Sequence, residues 1–292
     1  MCGIIYAKNL AGNEPVNNLI KVLYQNQKGR GQQGFGFLGM SSKSINTHRS
    51  INEKWIMKYL NESQYDEILF HHRNPTSTPN TLKSTHPFVI QLNGKSYYFV
   101  HNGIIQNDDE LQKDHYKRNI AYQSHEEFLF NDSEALAWDF CLWLNGEQDK
   151  MKARGAVAFV CLETDEKNRA SKLYFYRNNE APLRIYRDKT LLVISSEGNY
   201  PLVKENCLYC WDYPSGQVVK VGDLKIDCPN VYDVNMDDGA IDYEIMLCDE
   251  LRALEQERDY LISVGNYEEA GYIDDEIMDL TDQLKGRTLT QF

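Results

Sequence analysis

Short apolar runs rich in β-branched and aromatic residues recur along most of the chain, and they constrain its fold more than any other feature. Runs of four to eight such residues are typical of buried strands. They lie at residues 3–7, 67–71, 97–100, 155–162, 172–177 and 189–195. Helical spacing of apolar residues at 15–27 and 133–144 predicts two helices. We therefore predict a layered α+β domain that extends to about residue 230.

Acidic residues are concentrated in the last part of the chain. Residues 231–292 hold 17 acidic and 4 basic side chains, whereas residues 1–230 hold 26 acidic and 27 basic ones. The net charge of −12 therefore belongs to the tail. It argues against nucleic acid as a partner, because binding phosphates requires a basic face. Heptad-like apolar spacing on both sides of Gly265 and Asn266 predicts two helices joined by a tight turn.

The sequence shows neither membrane nor metal-site signals. No apolar run reaches the roughly 18 to 20 residues of a transmembrane helix, and the N-terminus does not resemble a signal peptide. We therefore expect a cytoplasmic protein with no membrane partner. The pair Cys207 and Cys210 has no second pair of zinc ligands, and the adjacent His71 and His72 would point to opposite faces of a strand. We expect no metal and no cofactor.

Cys2 is the first candidate for chemistry. If Met1 is removed, the thiol of Cys2 lies beside its own α-amino group. An α-amino group has a pKa of about 7.7 to 8.0, so it can take the thiol proton near neutral pH. A cysteine at the N-terminus therefore carries its own base and needs no separate histidine.

Four polar segments downstream of Cys2 carry residue types that suit amide hydrolysis. Each also has a simple structural explanation, since Asn-Gly marks turns and Asp132 could cap a helix. Their order after Cys2 is what favours a shared site. The segments are R-G-Q-Q-G-F-G at 30–36, H-H-R-N-P-T-S at 71–77 with S-T-H-P-F at 84–88, H-N-G at 101–103, and N-D-S-E at 131–134.

Together with C-G-I at residues 2–4, these segments resemble the class II glutamine amidotransferase domain, a family of N-terminal-nucleophile hydrolases. Weaker similarity continues to about residue 225. The resemblance implies an α+β fold, a four-layer αββα sandwich at residues 2–230, which a C-terminal α-helical hairpin at 231–292 would follow. It also implies that L-glutamine is hydrolysed to L-glutamate and ammonia through a γ-glutamyl thioester.

The resemblance implies a role for each matched residue. Cys2 would be the nucleophile, and the Asn102 side chain with the Gly103 backbone N–H would form the oxyanion hole. Arg73 would bind the substrate α-carboxylate, and Asp132 would bind the α-ammonium group. Four further positions match the motifs around the substrate pocket: Arg30, Thr76, Ser77 and His86.

Two positions depart from the family pattern. Gln33 stands where the family has Asp, and Asn74 stands where an aromatic residue commonly follows the substrate-binding Arg. These changes bear on loop closure and substrate preference, and they leave the nucleophile, the oxyanion residues and the substrate clamp in place. Two alternatives stay open: an amidase for another small γ-glutamyl amide, and a catalytically idle scaffold that acts through the C-terminal hairpin.

About 60 residues follow the predicted hydrolase domain, too few for a domain that uses ammonia. We therefore expect a free-standing amidotransferase subunit that passes ammonia to a separate synthase or amidoligase. Residues 251–277 are similar to the UVR-type hairpin that mediates protein contacts in bacterial excision repair. The hairpin could dock on such a synthase, pack on its own domain, or form a homo-oligomer with a copy of itself.

Overall fold

A computed structural model describes most of the first 229 residues and six positions beyond them. The chain forms two compact units, Met1–Pro229 and Asn230–Phe292. The described residues are 2–12, 14–42, 44–74, 80–125, 129–229, 258, 267, 274, 277, 278 and 281. Within these residues, no helix has the length and apolar character that crossing a bilayer requires.

Six antiparallel strands of the first unit form one sheet, and their bounds agree with the apolar runs where those were predicted. The strands are β1 Gly3–Asn9, β2 Gly34–Met40, β3 Ile45–Ser50, β4 Glu67–Arg73, β9 Arg184–Arg187 and β10 Leu191–Ser195. Their order across the sheet is β3-β2-β4-β1-β10-β9. β1 therefore lies in the sheet interior, between β4 and β10.

A second sheet is built from the other six strands described in the first unit, and it is also antiparallel. They are β5 Phe88–Leu92, β6 Lys95–Ile105, β7 Gly155–Thr164, β8 Ala170–Arg177, β11 Cys207–Asp212 and β12 Gln217–Asp223. Their order is β12-β11-β8-β7-β6-β5. The long strands β6 and β7 pair along their whole length, from Ser96 with Thr164 to Ile105 with Gly155.

Four helices of the described region cover the two outer faces. Helices α1 Asn17–Gln27 and α2 Glu53–Glu62 share an apolar core with the first sheet. Helices α3 Asp108–Lys117 and α4 Asp132–Leu144 share another with the second sheet. A third core lies between the sheets. The predicted α+β fold with αββα layers is thus confirmed.

Strand alternation directs side chains from both sheets into the space between them. Ile4 of β1 belongs to the inter-sheet core, whereas its neighbour Ile5 packs toward the helices. On β6, Val100 belongs to the inter-sheet core and Phe99 packs toward α4. Residues two positions from an inward-facing residue face inward as well. Cys2 and Asn102 therefore face the same inter-sheet space.

The second part of the glycine-rich segment forms the fully buried strand β2, which begins at Gly34. Close approach explains the glycines. A β-carbon at Gly36 would lie 1.9 Å from the His86 carbonyl oxygen, and one at Gly39 would lie 2.7 Å from the Tyr65 ring. Glycine there lets a neighbouring chain segment lie directly on the sheet.

The predicted C-terminal hairpin lies outside the described residues except at six positions. These are Arg258, Tyr267, Asp274, Ile277, Met278 and Thr281, and each is helical. The Arg258 guanidinium lies 3.5 Å from the Asp274 carboxylate. This ion pair joins two helical positions sixteen residues apart.

Candidate active site

The start of β1 and the end of β4 bring Cys2 close to Arg73. In the β1–β4 ladder Gly3 pairs with His72 and Ile4 pairs with His71. Continuing that register by one residue sets Cys2 opposite Arg73. Arg73 is the last residue of β4 and is buried. Two positions 71 residues apart in sequence thus meet at one end of the inter-sheet space.

The Cys2 thiol and main chain are both held by neighbouring groups. The Sγ atom lies 3.6 Å from the Asn74 carbonyl oxygen, to which the thiol donates. The Cys2 carbonyl accepts a hydrogen bond from Arg30 Nε at 2.8 Å, and Arg30 Nη1 pairs with Glu197 at 2.9 Å. Arg30, predicted to lie around the substrate pocket, therefore contacts the main chain of the candidate nucleophile.

Burial raises the pKa of the Cys2 thiol, and the Arg73 guanidinium opposes that shift. Desolvation disfavours the thiolate, so the resting thiol holds its proton at neutral pH. Attack by this sulfur therefore requires a base close by.

Three charged or ionisable groups, those of Cys2, Arg73 and Asp132, interact electrostatically at this end of the inter-sheet space. Burial lowers the pKa of Arg73, while Cys2 and Asp132 raise it. A buried guanidinium and a buried carboxylate then lie close enough to the thiol to affect its ionisation. Such a pair can bind a ligand that carries both an anion and a cation.

The two departures from the family pattern contribute through their main chains. The Gln33 N–H donates to the Arg73 carbonyl at 3.1 Å, and its side chain is exposed. Asn74 places its carbonyl against the Cys2 thiol. A β-carbon at the nearby Gly31 would lie 2.4 Å from the Arg73 carbonyl carbon, so this loop lies directly on the strand end.

Asn102 is a buried amide with unused hydrogen-bonding groups. Its side chain has no exposed surface, and neither Oδ1 nor Nδ2 has a hydrogen-bond partner in the part of the chain that is described. Leaving such a group unpaired costs about 1 to 3 kcal/mol, so an orphaned amide usually indicates a bound partner. It faces the same space as Cys2.

Gly103 follows with a backbone that only glycine adopts readily. Its φ is +149°, and a β-carbon there would lie 1.8 Å from the Ala156 carbonyl oxygen. β7 therefore packs against this position with no room for a side chain. This close packing fixes the backbone of Gly103, and with it that of the adjacent Asn102, near the C-terminal end of β6.

In the structure Asp132 does not cap α4, and its carboxylate makes a different contact. The cap of α4 is Asn131, whose side chain accepts from the Ser133 N–H at 2.9 Å. The carboxylate of Asp132 instead accepts from the Ile105 N–H at 2.8 Å. The alternative that Asp132 merely caps the helix is therefore wrong. Its bond to Ile105 fixes the carboxylate beside the end of β6.

Three buried histidines, His71, His86 and His101, lie close to one another. His71 Nε2 lies 3.0 Å from the His101 carbonyl, and the His86 ring centroid lies 3.9 Å from that of His71. Burial lowers the pKa of all three, so they are neutral at neutral pH. His86, predicted as a pocket residue, is thus packed against His71 and Phe88.

Thr76 and Ser77, the other predicted pocket residues, lie outside the described residues. The structure also adds neighbours that motif matching did not assign: Ser133, His71 and Glu197. Ser133 lies in the matched segment N-D-S-E and His71 in H-H-R, whereas Glu197 lies in the region of weaker similarity, in I-S-S-E at 194–197. Being beside a matched residue was the available signal, but their contacts come from distant strands.

The chain is similar to known amidotransferases. No family model matches it. The amidophosphoribosyltransferase of Methanocaldococcus jannaschii is 24% identical over 242 residues, which is 77% of this chain and 48% of that protein. The glutamine phosphoribosylpyrophosphate amidotransferase from B. subtilis, solved with ADP and GMP, gives a TM-score of 0.58 at 17% identity, covering 75% of this chain and 49% of the other.

A further solved structure, described as the allosteric regulatory enzyme of purine biosynthesis, gives a TM-score of 0.59 at 17% identity. It covers 77% of this chain and 50% of the other. This chain spans about half the length of the curated relative it matches. These likenesses show the fold: the first unit has the N-terminal-nucleophile hydrolase fold of glutamine amidotransferase structures.

Proposed function

We propose that the chain is a class II glutamine amidotransferase that hydrolyses L-glutamine to L-glutamate and ammonia. One observation carries the proposal: the buried Asn102 amide has no hydrogen-bond partner among the described residues. Strand alternation from Val100 and Ile4 points Asn102 and Cys2 into the same inter-sheet space. A buried amide donor that faces the same space as a nucleophile suits the oxygen anion that forms during acyl transfer. The fold that this chain shares with known glutamine amidotransferases adds support.

Chemistry begins once Met1 has been removed. The freed α-amino group takes the proton of the Cys2 thiol, whose pKa burial keeps high. The sulfur then attacks the side-chain amide carbon of glutamine. The oxygen anion accepts from the Asn102 amide and the Gly103 N–H.

Two steps complete the reaction. The C–N bond breaks as the α-amino group passes the proton to the leaving nitrogen, which departs as ammonia. Water then attacks the γ-glutamyl thioester, the C–S bond breaks, and glutamate leaves while the thiol is restored. The sequence of steps needs no oxidant, metal or cofactor, so the chain's own groups suffice.

Arg73 and Asp132 select the substrate in this proposal. The Arg73 guanidinium binds the α-carboxylate, and the Asp132 carboxylate binds the α-ammonium group. A glutamine inside a peptide lacks both charges, so it is excluded. Both side chains are buried, which strengthens their interaction with a charged ligand.

Ammonia would pass to a separate synthase or amidoligase, in a cytoplasmic complex. The matched proteins are amidotransferases about twice as long as the matched region, which is consistent with an acceptor function outside the first unit. The predicted hairpin is a candidate docking element for that partner. The Arg258–Asp274 ion pair, whose midpoint is residue 266 at the predicted turn, supports the hairpin itself.

The test is an assay of purified protein for release of glutamate and ammonia from glutamine. The proposal predicts equal amounts of both products, and none from Cys2→Ala with an intact fold. Competition with other γ-glutamyl amides separates the glutaminase from a broader amidase. Wild-type activity in Cys2→Ala would refute the proposal, and no release by wild type, alone or with its co-purifying partner, would favour the idle scaffold.

A further inference from the structure

The Ser133 hydroxyl lies between two groups at the candidate active site. Its Oγ is 2.9 Å from His101 Nδ1 and 3.5 Å from the Asp132 carboxylate. Ser133 is in the first turn of α4 and is buried, so solvent does not compete for these contacts. One hydroxyl proton has two candidate acceptors.

The protonation state of the His101 ring determines which of the two acceptors receives the Ser133 hydroxyl proton. His101 Nε2 lies 3.3 Å from the Ala156 carbonyl, which can only accept, so Nε2 carries the ring proton. Burial lowers the pKa of His101 and keeps the ring neutral, which leaves Nδ1 as an acceptor. The Ser133 O–H therefore donates to His101, and the Asp132 carboxylate remains free to accept from elsewhere.

His101 is held on three sides. Its ring contacts Ser133 of α4 and Ala156 of β7, and its carbonyl accepts from His71 Nε2 of β4 at 3.0 Å. That carbonyl belongs to the peptide bond that leads into Asn102. A β-carbon at Gly103 would also lie 2.7 Å from His101 Nε2, so the His101 ring packs directly on Gly103, two residues further along β6. The His101 ring thus sets where Asn102 and Gly103 lie.

We propose that Ser133 is a positioning residue for the oxyanion hole. Its hydroxyl locks the His101 tautomer and ring orientation, and His101 fixes the peptide from which the Asn102 and Gly103 donors project. This inference rests on the proposed glutaminase function. Removing the hydroxyl should lower kcat, because the donors are misplaced when the oxygen anion forms. The KM for glutamine should stay unchanged, because the Ile105 N–H still holds the Asp132 carboxylate in place.

The experiment compares S133A, S133C and S133T in the full chain, with thermal unfolding as the check of folding. We expect kcat to fall about tenfold in S133A with KM within twofold. S133C, a weak donor, should lie between S133A and wild type, and S133T should restore most activity. The matched control is S171A, whose half-buried hydroxyl donates to Glu163 at 2.7 Å at the far end of β7. It should leave kcat unchanged.

A double-mutant cycle separates positioning from a general structural effect. In an Asn102→Ala background S133A should reduce kcat less than twofold further, because the side-chain donor is gone and only the Gly103 N–H remains to be positioned. An equal loss in both backgrounds, or wild-type kcat in S133A, would overturn this inference alone. If wild-type protein does not hydrolyse glutamine under any condition, the proposed function fails and this inference fails with it.

Discussion

Gly3 lies directly against the His72 imidazole, and a β-carbon at Gly3 would be 1.9 Å from His72 Nε2. His72 cannot easily move, because it is fully buried, its Nδ1 lies 2.8 Å from the Gly31 carbonyl, and its ring packs edge-on against Tyr24. The residue after the candidate nucleophile must therefore be glycine. His72 also holds the loop that carries Arg30.

Gly3→Ala should destabilise the protein by about 1 to 3 kcal/mol through overpacking, and should lower glutaminase activity at least tenfold. Displacing His72 shifts the backbone of Cys2, so both effects share a cause. Urea unfolding and steady-state kinetics measure them. Gly29→Ala is the matched control, since a β-carbon there meets nothing within 4 Å. Equal behaviour of the two variants would contradict this explanation.

Asn102→Ala should lower kcat by roughly 10² to 10³ while KM for glutamine changes only a few-fold. The amide is expected to bind the oxygen anion that forms during reaction and to contribute little to ground-state binding. Initial-rate kinetics over a range of glutamine concentrations separate the two constants. A large rise in KM at constant kcat would instead assign Asn102 to substrate binding.

Asp132→Asn should raise KM for glutamine at least tenfold and abolish the preference for glutamine over its analogue without the α-amino group. Asparagine keeps an oxygen for the Ile105 N–H, so the loss is the negative charge alone. Comparing kcat/KM for the two substrates gives the measurement. Asp139→Asn, another buried carboxylate of α4, is the control and should keep the preference.

Arg30→Lys should lower kcat several-fold because Arg30 bonds the Cys2 carbonyl through Nε and Glu197 through Nη1, and lysine has a single nitrogen in place of these two. Glu197→Gln should change kcat less than twofold, since Glu197 is partly exposed and exposed ion pairs contribute about 0 to 1 kcal/mol. The two variants are compared at saturating glutamine. A larger loss in Glu197→Gln would show that the carboxylate, rather than the arginine bond to Cys2, matters.

The free energy of unfolding should decrease as the pH falls from about 6.5 to about 4. Burial lowers the pKa of His115 to about 4, so between these pH values the unfolded chain binds a proton that the folded chain does not. His115→Gln should reduce the slope by up to about 1.4 kcal/mol per pH unit, because glutamine does not titrate. Glutamine can still bond the Tyr122 hydroxyl. Denaturant unfolding at several pH values measures the slope, and an unchanged slope would contradict the assignment.

Much of the fold could be predicted because several strands, such as β1, β4 and β7, are buried on both faces. The runs that predicted β1, β4 and β7 are nearly continuous apolar segments, and the structure extends each by a few residues. Helix α3 escaped prediction because only Leu111 and His115 of its ten residues are buried. Two buried positions provide too little periodicity, although the acidic first turn was a usable signal.

The site could be predicted as a set of segments, but its contacts could not. Motif order grouped Cys2, Arg73, Asn102 and Asp132, and in the structure Arg73 and Asp132 both influence the ionisation of Cys2. Strand alternation points Asn102 into the same inter-sheet space. The need for glycine at position 3 depends on His72, which lies 69 residues away. Asn131 caps α4 and Asp132 instead bonds Ile105 at the end of β6, a helix–strand contact that the sequence does not show.

The central claim, that an N-terminal Cys2 attacks glutamine, is tested most directly by alkylation with a glutamine-like diazoketone followed by peptide mass spectrometry. The account predicts one label per chain, on Cys2 of protein that lacks Met1, with activity lost in proportion to labelling and with glutamine protecting. Labelling of another cysteine, or full activity in protein that retains Met1, would contradict it.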